Sequence, residues 1–281
     1  LNREKLSAAG EIWRRFLYIV VEFIYGIKCK NLSKIAEMKI ITINMRFYLI
    51  NHCEKQKTGY NKGTDKKFRR MEVNKMLCQF TVKNFKSIRD EVTFDMQAAA
   101  ISEHEDRIIK DNDDELYLPV SAIYGPNGGG KSNVLEALNS LVTKVLRPLY
   151  ATSNNEEIAI KMKKFVIESF AFDEKTINEP TEFELFFRTS LAEYRYELIV
   201  KKDVIEYERL DRIKLETGRK SALFERNEDE IILKGAFAAL KTSDELSDTL
   251  PLLSYLGIAY SKNEVVKDVI DWFDEGISFL N

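Results

Sequence analysis

Glycines, a lysine and a serine cluster in residues 122–138, which read AIYGPNGGGKSNVLEAL. They fit the spacing G-x-x-x-x-G-K-S/T, with Gly125, Gly130, Lys131 and Ser132 at the four fixed positions. Such a loop can curl its backbone N–H groups around a polyphosphate, because glycines let the backbone approach the anion. In that chemistry the lysine contacts the β- and γ-phosphates, and the serine hydroxyl ligates Mg²⁺. The stretch therefore predicts a site for ATP with Mg²⁺.

The elements on either side must position this loop. Residues 117–124, YLPVSAIY, form a short apolar run rich in β-formers, which predicts a buried strand. Residues 132–146 repeat apolar side chains at helical spacing and predict an amphipathic helix that ends near Arg147 and Pro148. A strand that enters the glycines and a helix that leaves them is the context that a phosphate-binding loop requires. The alternative is a glycine-rich turn without a ligand.

Period-two alternation dominates much of the remaining chain. Residues 77–83 and 91–96 predict a hairpin around the turn-prone sequence KNFKSIRD. Residues 102–116 predict an acidic, solvated loop. The later alternating segments predict antiparallel strands at 165–172, 181–189, 194–201 and 204–216, with one more hairpin at 221–235. Helical spacing returns at 236–250 and 263–277.

The charge is unevenly divided along the chain. The formal net charge is −2, yet residues 1–70 hold 16 Lys+Arg against 6 Asp+Glu, a net of +10. Residues 71–281 hold 27 against 39, a net of −12. This polarity predicts that the two parts do not belong to one domain.

The first part, residues 1–75, is interpreted as a basic extension that is non-native or disordered. The sequence MEVNKM at 71–76 can be encoded with a bacterial ribosome-binding sequence before its last codon, which favours a native start at Met76, or else at Met71. The alternative is a basic arm that binds nucleic acid. Residues 76–281 are the predicted folded part, with a helical segment from residue 235 onward.

Cysteine use and hydropathy bear on the compartment. The three cysteines are odd in number and lack metal-ligand spacing, which predicts a reducing cytoplasm without a disulfide framework or zinc site. Residues 16–27 are apolar but too short to span a bilayer, and they include Glu22. We therefore expect a cytoplasmic protein with no membrane partner. The acidic balance of residues 71–281 argues against strong unassisted DNA binding by that part.

The loop and its flanks resemble the Walker A segment of the RecF/SMC-like branch of ABC-type ATPases, which includes bacterial AAA family ATPases. That branch has G-x-N-G-x-G-K-S/T-N followed by a Leu-Glu-Ala helix, and Asn127, Gly128, Asn133 and Glu136 match. The sequence FTVKNFKSIRDEVTF is similar to the first strand and NF-K/R-S element of the branch, and YRYELIVKKDVIEYERL to its β-hairpin. A later segment, LLSYLG through VVKDVIDWF, is also similar, so the resemblance covers about residues 77–281.

This resemblance implies the fold and the site. The fold would be an α/β P-loop NTPase, the N-terminal lobe of an ABC/SMC-like head, with an antiparallel β-insertion and a C-terminal helical segment. Lys86 and Ser87 would approach the nucleotide from the first strand, although they also fit an ordinary exposed turn. The nucleotide-binding residues would be Gly125, Pro126, Asn127, Gly128, Gly129, Gly130, Lys131, Ser132 and Asn133, with Ser132 on the metal and Lys131 in catalysis.

Other parts that the resemblance implies are missing from the sequence. No Q-loop glutamine or signature helix is identified, and VIDWFDEG at 269–276 is interpreted as an amphipathic helix rather than a Walker B strand, because Asp271 breaks the apolar run. Asp274 and Glu275 then become solvated charges at a helix end. The chain is accordingly interpreted as a fragment, the first half of an ATPase.

Three functions remain open at this stage. The first is an ATPase that, when complete, hydrolyses ATP between two heads of a homodimer in DNA repair, chromosome handling or anti-phage defence, with DNA or an effector protein as partner. The second is a non-enzymatic nucleotide-binding module that needs a partner chain. The third is a small-molecule kinase with the same loop, which the long antiparallel insertion disfavours.

Overall fold

The computed structural model describes residues 39–41, 75–99, 108–110, 115–151, 166–243 and 246–277. The predicted basic extension lies outside the described residues except for 39–41 and Lys75, so its interpretation stays a prediction. Most of the predicted acidic loop at 102–116 also lies outside them.

A seven-stranded antiparallel sheet forms one layer of the described structure. Its strands are β2 (Lys75–Lys83), β3 (Val92–Asp95), β7 (Thr181–Thr189), β8 (Ala192–Lys201), β9 (Val204–Lys214), β10 (Lys220–Arg226) and β11 (Ile231–Leu233). Their order in the sheet is β11-β10-β9-β8-β7-β2-β3. The predicted hairpins at 77–96 and 221–235, and the three strands between 181 and 216, are confirmed.

Alternation along each strand gives the sheet one apolar face and one charged face. In β8 every second residue is buried, among them Tyr194, Tyr196 and Leu198. The opposite face carries paired charges, for example Arg195 with Glu184 at 2.5 Å and with Glu197 at 2.7 Å. The apolar face therefore needs a covering layer, which the helices supply.

Three helices pack against the apolar face. They are α1 (Lys131–Ala151), α2 (Leu252–Ala259) and α3 (Glu264–Glu275). α1 and α2 approach closely at Gly257, where a Cβ atom would lie 3.0 Å from Leu149 Cδ2. The hydroxyl of Ser254 donates to the carbonyl oxygen of Val145 at 2.6 Å. These contacts explain why α1 continues through Pro148 to Ala151, where the sequence predicted an end: packing of the last turn outweighs one missing N–H.

Helix α3 confirms the helical interpretation of residues 263–277. Asn263 caps it by accepting hydrogen bonds from the N–H groups of Val265 and Val266. Its apolar stripe is buried, and the ring of Trp272 lies 4.3 Å from that of Phe187 on the sheet. VIDWFDEG is thus not a strand, and Asp274 and Glu275 are exposed at its end as predicted.

A buried carboxylate fixes the start of α2. Glu208 on β9 is fully buried and accepts hydrogen bonds from the N–H groups of Leu252 (2.6 Å) and Leu253 (2.9 Å) and from the hydroxyl of Tyr196 (2.9 Å). A carboxylate is favoured at a helix N-terminus, because it faces unpaired N–H groups. Arg226 holds the preceding loop by donating to two of its carbonyl oxygens.

Shorter strands lie outside the main sheet. β1 (Lys39–Ile41) pairs antiparallel with β6 (Ser121–Ile123), and β4 (Ile109–Lys110) pairs with β5 (Leu116–Tyr117). The prediction of one buried strand at 117–124 is therefore wrong in extent. Pro119 separates two short strands, and β6 is half-buried rather than buried.

Two further predictions of regular structure are wrong. Residues 166–172 form no strand, because their backbone is hydrogen-bonded to the turn at 84–88 instead. The described part of 236–250 has no α-helix beyond the short 3₁₀ turn Gly235–Phe237. Carbonyl groups of that segment accept hydrogen bonds from Arg226 on β10 and from the N–H of Ile205 on β9. These carbonyl groups are therefore paired with residues of the sheet and not with N–H groups of a helix.

Glu208→Ala should destabilise the protein, because it removes the acceptor of three buried donors. We expect a loss of about 3 kcal/mol or more in the free energy of unfolding, measured by urea denaturation of the 281-residue chain. Glu208→Gln keeps one acceptor oxygen and removes a buried charge, so its loss should be smaller. The exposed Glu216 gives the control Glu216→Ala, expected within about 0.5 kcal/mol of wild type. Equal losses in the two Glu208 variants would contradict this role.

The same carboxylate should make stability depend on pH. Burial raises the pKa of Glu208 above the ordinary value of 4.5, although its hydrogen bonds oppose the shift. The folded state then binds the proton more tightly than the unfolded state, so the favourable contribution is greatest below pH 4.5 and is lost as pH rises through the folded pKa. Relative to Glu208→Gln, which cannot titrate there, wild type should gain stability on acidification. A pH-independent difference would refute this assignment.

Candidate phosphate-binding site

The candidate phosphate-binding loop connects β6 to α1. Residues 124–129 are exposed, and the helix begins at Lys131. A helix start directs unpaired N–H groups and the positive end of the helix dipole towards an anion. The strand, loop and helix thus follow one another as the sequence predicted, although the strand is shorter.

Two glycines give the loop its curvature. Gly128 has φ +80° and Gly130 has φ +78°, a conformation that side chains disfavour. The N–H of Gly129 donates to the carbonyl of Pro126 at 3.1 Å, and the N–H of Asn133 to that of Gly130 at 2.9 Å. A Cβ atom on Gly130 would lie 3.2 Å from Ser87 Oγ, so glycine also permits a neighbouring turn to approach.

Lys131 folds back over the loop. Its ammonium group donates to the carbonyl oxygens of Gly125 (2.7 Å) and Pro126 (2.8 Å). Ser132 is exposed in the first turn of α1, so its hydroxyl is accessible.

The turn at 84–88 lies against this loop. Asn133 Nδ2 donates to Ser87 Oγ at 2.6 Å, and the ammonium of Lys86 forms an ion pair with Glu136 on α1. The structure therefore brings Ser87 to the phosphate-binding loop and the ammonium group of Lys86 to the second turn of α1. Their contact with a nucleotide stays a prediction.

Asn84 holds that turn in place, and the sequence reasoning missed it. Asn84 and Lys86 both have positive φ, 54° and 49°, which is unfavourable for residues other than glycine. Asn84 is 1% exposed, and its Oδ1 accepts from the N–H of Phe170 at 3.0 Å. Its Nδ2 lies within hydrogen-bond distance of three carbonyl oxygens, those of Thr176, Glu179 and Pro180, at 2.9, 2.9 and 3.0 Å, so two of these oxygens share one of its two hydrogens. An asparagine in a turn was a weak signal, because its partners lie more than 80 residues away.

The residues of the loop and of the first turn of α1 fit a nucleoside triphosphate. The loop offers glycines with positive φ, a lysine and the N-terminus of a 21-residue helix. Ser132 could ligate Mg²⁺. Within the described ranges no group of three or more His, Cys, Asp or Glu is placed to hold a metal by itself.

The fold and the loop together define the class of the protein. A mixed α/β domain with a largely antiparallel sheet, three helices and this loop fits a P-loop NTPase-like domain.

A comparison with protein families identifies the family. A model described as "AAA domain, putative AbiEii toxin, Type IV TA system" matches residues 120–269, more than half of the chain. The chain belongs to this AAA domain family, which implies nucleotide binding. No curated protein and no solved structure matched in the two other comparisons. None of the helices in the described ranges is long and apolar enough to cross a membrane.

Asn84→Asp should remove the buried hydrogen bonds that hold the turn at 84–88 beside the loop. The replacement keeps the size but turns a donor with three carbonyl partners into an acceptor, and it places a charge where the side chain is buried. We expect a loss of about 3 kcal/mol or more in the free energy of unfolding.

Asn227→Asp provides a matched control for this change. Asn227 Oδ1 only accepts, from the N–H groups of Asp229 (2.9 Å) and Glu230 (2.8 Å), and an aspartate keeps both bonds. Urea denaturation should leave this variant close to wild type. If the two variants were equally stable, the hydrogen bonds of Asn84 would not be what holds the turn.

Proposed function

We propose that the chain binds ATP with Mg²⁺ through residues Gly125–Ser132 and that the complete protein hydrolyses ATP. The observation that carries the proposal is the loop itself, with Lys131 and Ser132 at the start of α1 and the turn at 84–88 packed beside it. Membership of the AAA family supports the same activity.

Each group in the loop has a defined task in this proposal. The backbone N–H groups of the loop and the first turn of α1 donate to phosphate oxygens, and Lys131 exchanges its two carbonyl acceptors for them. Ser132, the residue after Lys131, would ligate the Mg²⁺ ion through its hydroxyl, and Asn133 follows it in the first turn of α1. Bound Mg²⁺ would neutralise charge on the β- and γ-phosphates.

We further propose that the protein is of the RecF/SMC-like type, an ABC/SMC-like head that dimerises around ATP. The resemblance of residues 125–137 and of the NFKS turn to that branch supports this assignment, and so does the packing of the turn on the loop. DNA or an effector protein would be the partner, in DNA repair or anti-phage defence.

A non-enzymatic nucleotide-binding module remains the second candidate, and one observation favours it for this chain. Asp274 and Glu275, the acidic pair in VIDWFDEG, lie at the far end of α1 from Lys131. Asp274 accepts from the hydroxyl of Tyr150, and Glu275 pairs with Lys75 at 2.7 Å. Tyr150 is 19 residues beyond Lys131, about 28 Å along the helix axis. This acidic pair therefore cannot activate water at the phosphates.

Lys131→Ala should weaken ATP binding by about 10- to 100-fold, because it removes a charge-assisted contact with the phosphates. Isothermal titration calorimetry of the 281-residue chain with ATP and Mg²⁺ would measure the change. Chelation of Mg²⁺ should weaken wild-type binding as well. The exposed Lys262 supplies the control Lys262→Ala, which should bind as wild type does. If Lys131→Ala bound ATP with unchanged affinity, the proposed site would be wrong.

ATP turnover by this chain separates the two candidate functions. If the chain binds ATP and releases no phosphate, it acts as a nucleotide-binding module. Turnover that disappears in Lys131→Ala would instead establish hydrolysis within these 281 residues.

A further inference from the structure

Two lysines lie at or near the phosphate-binding loop, and the chain itself supplies acceptors for both ammonium groups. Lys131 donates to the carbonyl oxygens of Gly125 and Pro126, and Lys86 forms an ion pair with the carboxylate of Glu136. Glu136 lies five residues beyond Lys131, in the second turn of α1. It belongs to the resemblance described above only as part of a Leu-Glu-Ala helix and has no role there.

The backbone of Lys86 cannot move away from the loop without breaking several contacts. Its N–H donates to the carbonyl of Glu168 at 3.0 Å, and the next residue, Ser87, is bonded to Asn133 on α1. The close approach of Gly130 to Ser87 fixes the same spacing. Rotation of the long side chain is therefore the main freedom left to its ammonium group.

The ion pair itself is weak enough to exchange. The side chains of Lys86 and Glu136 are 28% and 46% exposed, so solvent screens their attraction. A multiply charged phosphate attracts the same ammonium more strongly than one carboxylate does. A nucleotide in the loop can accordingly compete with Glu136 for Lys86.

We propose that Glu136 pairs with the ammonium group of Lys86 and competes with nucleotide phosphates for it. Binding then involves an exchange of partners by Lys86, in parallel with that by Lys131. Glu136 thereby lowers the affinity of the loop for nucleotide. This inference rests on the proposed function, since it requires that the loop binds a nucleotide.

A double-mutant cycle tests the exchange. The affinity of the full chain for ATP with Mg²⁺ is measured by calorimetry in wild type, Glu136→Gln, Lys86→Met and the double variant. Glu136→Gln should bind about two- to five-fold more tightly, because the competing carboxylate is gone and a screened ion pair accounts for at most that factor. Lys86→Met should bind more weakly. In the Lys86→Met background, Glu136→Gln should have no further effect.

The cycle distinguishes this exchange from a simple charge effect. If Glu136 only repels phosphates through space, Glu136→Gln will tighten binding equally with and without Lys86, and the inference is overturned. It is also overturned if Glu136→Gln binds as wild type does. Glu136→Asp, which keeps the charge, should return affinity towards wild type. Glu228→Gln, at an exposed site in the β10–β11 turn, should leave affinity unchanged, and thermal melting confirms that each variant is folded.

Failure of the proposed function gives a different result. In that case wild type shows no ATP binding, and both the function and the inference fall. If wild type binds and Lys131→Ala does not, the function stands, and the cycle alone decides on Glu136.

Discussion

The buried side chain of Asn84 is the contact on which the geometry of the site depends. Four hydrogen bonds join it to a segment about 90 residues further along the chain, and the hydroxyl of Thr181 adds a fifth to its carbonyl at 2.7 Å. These bonds offset the unfavourable φ at Asn84 and Lys86 and hold the turn in place. In this position the turn places Ser87 against Asn133 and Lys86 against Glu136. The precision of the site therefore comes from the sheet rather than from the loop alone.

Local patterns in the sequence were enough to predict much of this structure. The glycine spacing with Lys131 and Ser132 specified the loop, because each residue type follows from the chemistry of a phosphate. Alternation of apolar and polar residues specified β7 to β9, most regularly in β8. The 3.6-residue period specified α3, although its sequence ends like an apolar strand with an acidic pair. Where buried side chains recur with the period of a strand or a helix, the residues of that segment are enough to predict its secondary structure.

The wrong predictions of secondary structure fall on segments whose backbone groups are hydrogen-bonded to residues far away in the sequence. Residues 166–172 alternate like a strand, but their hydrogen bonds go to Asn84 and Lys86. The start of α2 depends on Glu208, more than 40 residues earlier in sequence, and burial of a charged side chain is not visible in a periodic pattern. The strand before the loop was too long in the prediction because apolar density does not show which strand it pairs with. Such long-range hydrogen bonds are specified by the fold, so a single sequence does not reveal them.

Helix α1 packs in the core and also separates the candidate phosphate-binding loop, at its N-terminus, from the acidic pair Asp274 and Glu275 near its C-terminus. Its N-terminus carries the loop, whereas its buried middle, from Ala137 to Leu146, is packed in the core, and Gly257 of α2 approaches its last turn. The core thereby fixes the direction of the helix axis and the aim of its N-terminal N–H groups. The same length places Tyr150 and its acidic partner far from Lys131. If the loop binds ATP as proposed, any carboxylate that activates water must therefore reach the phosphates from another side than this acidic pair.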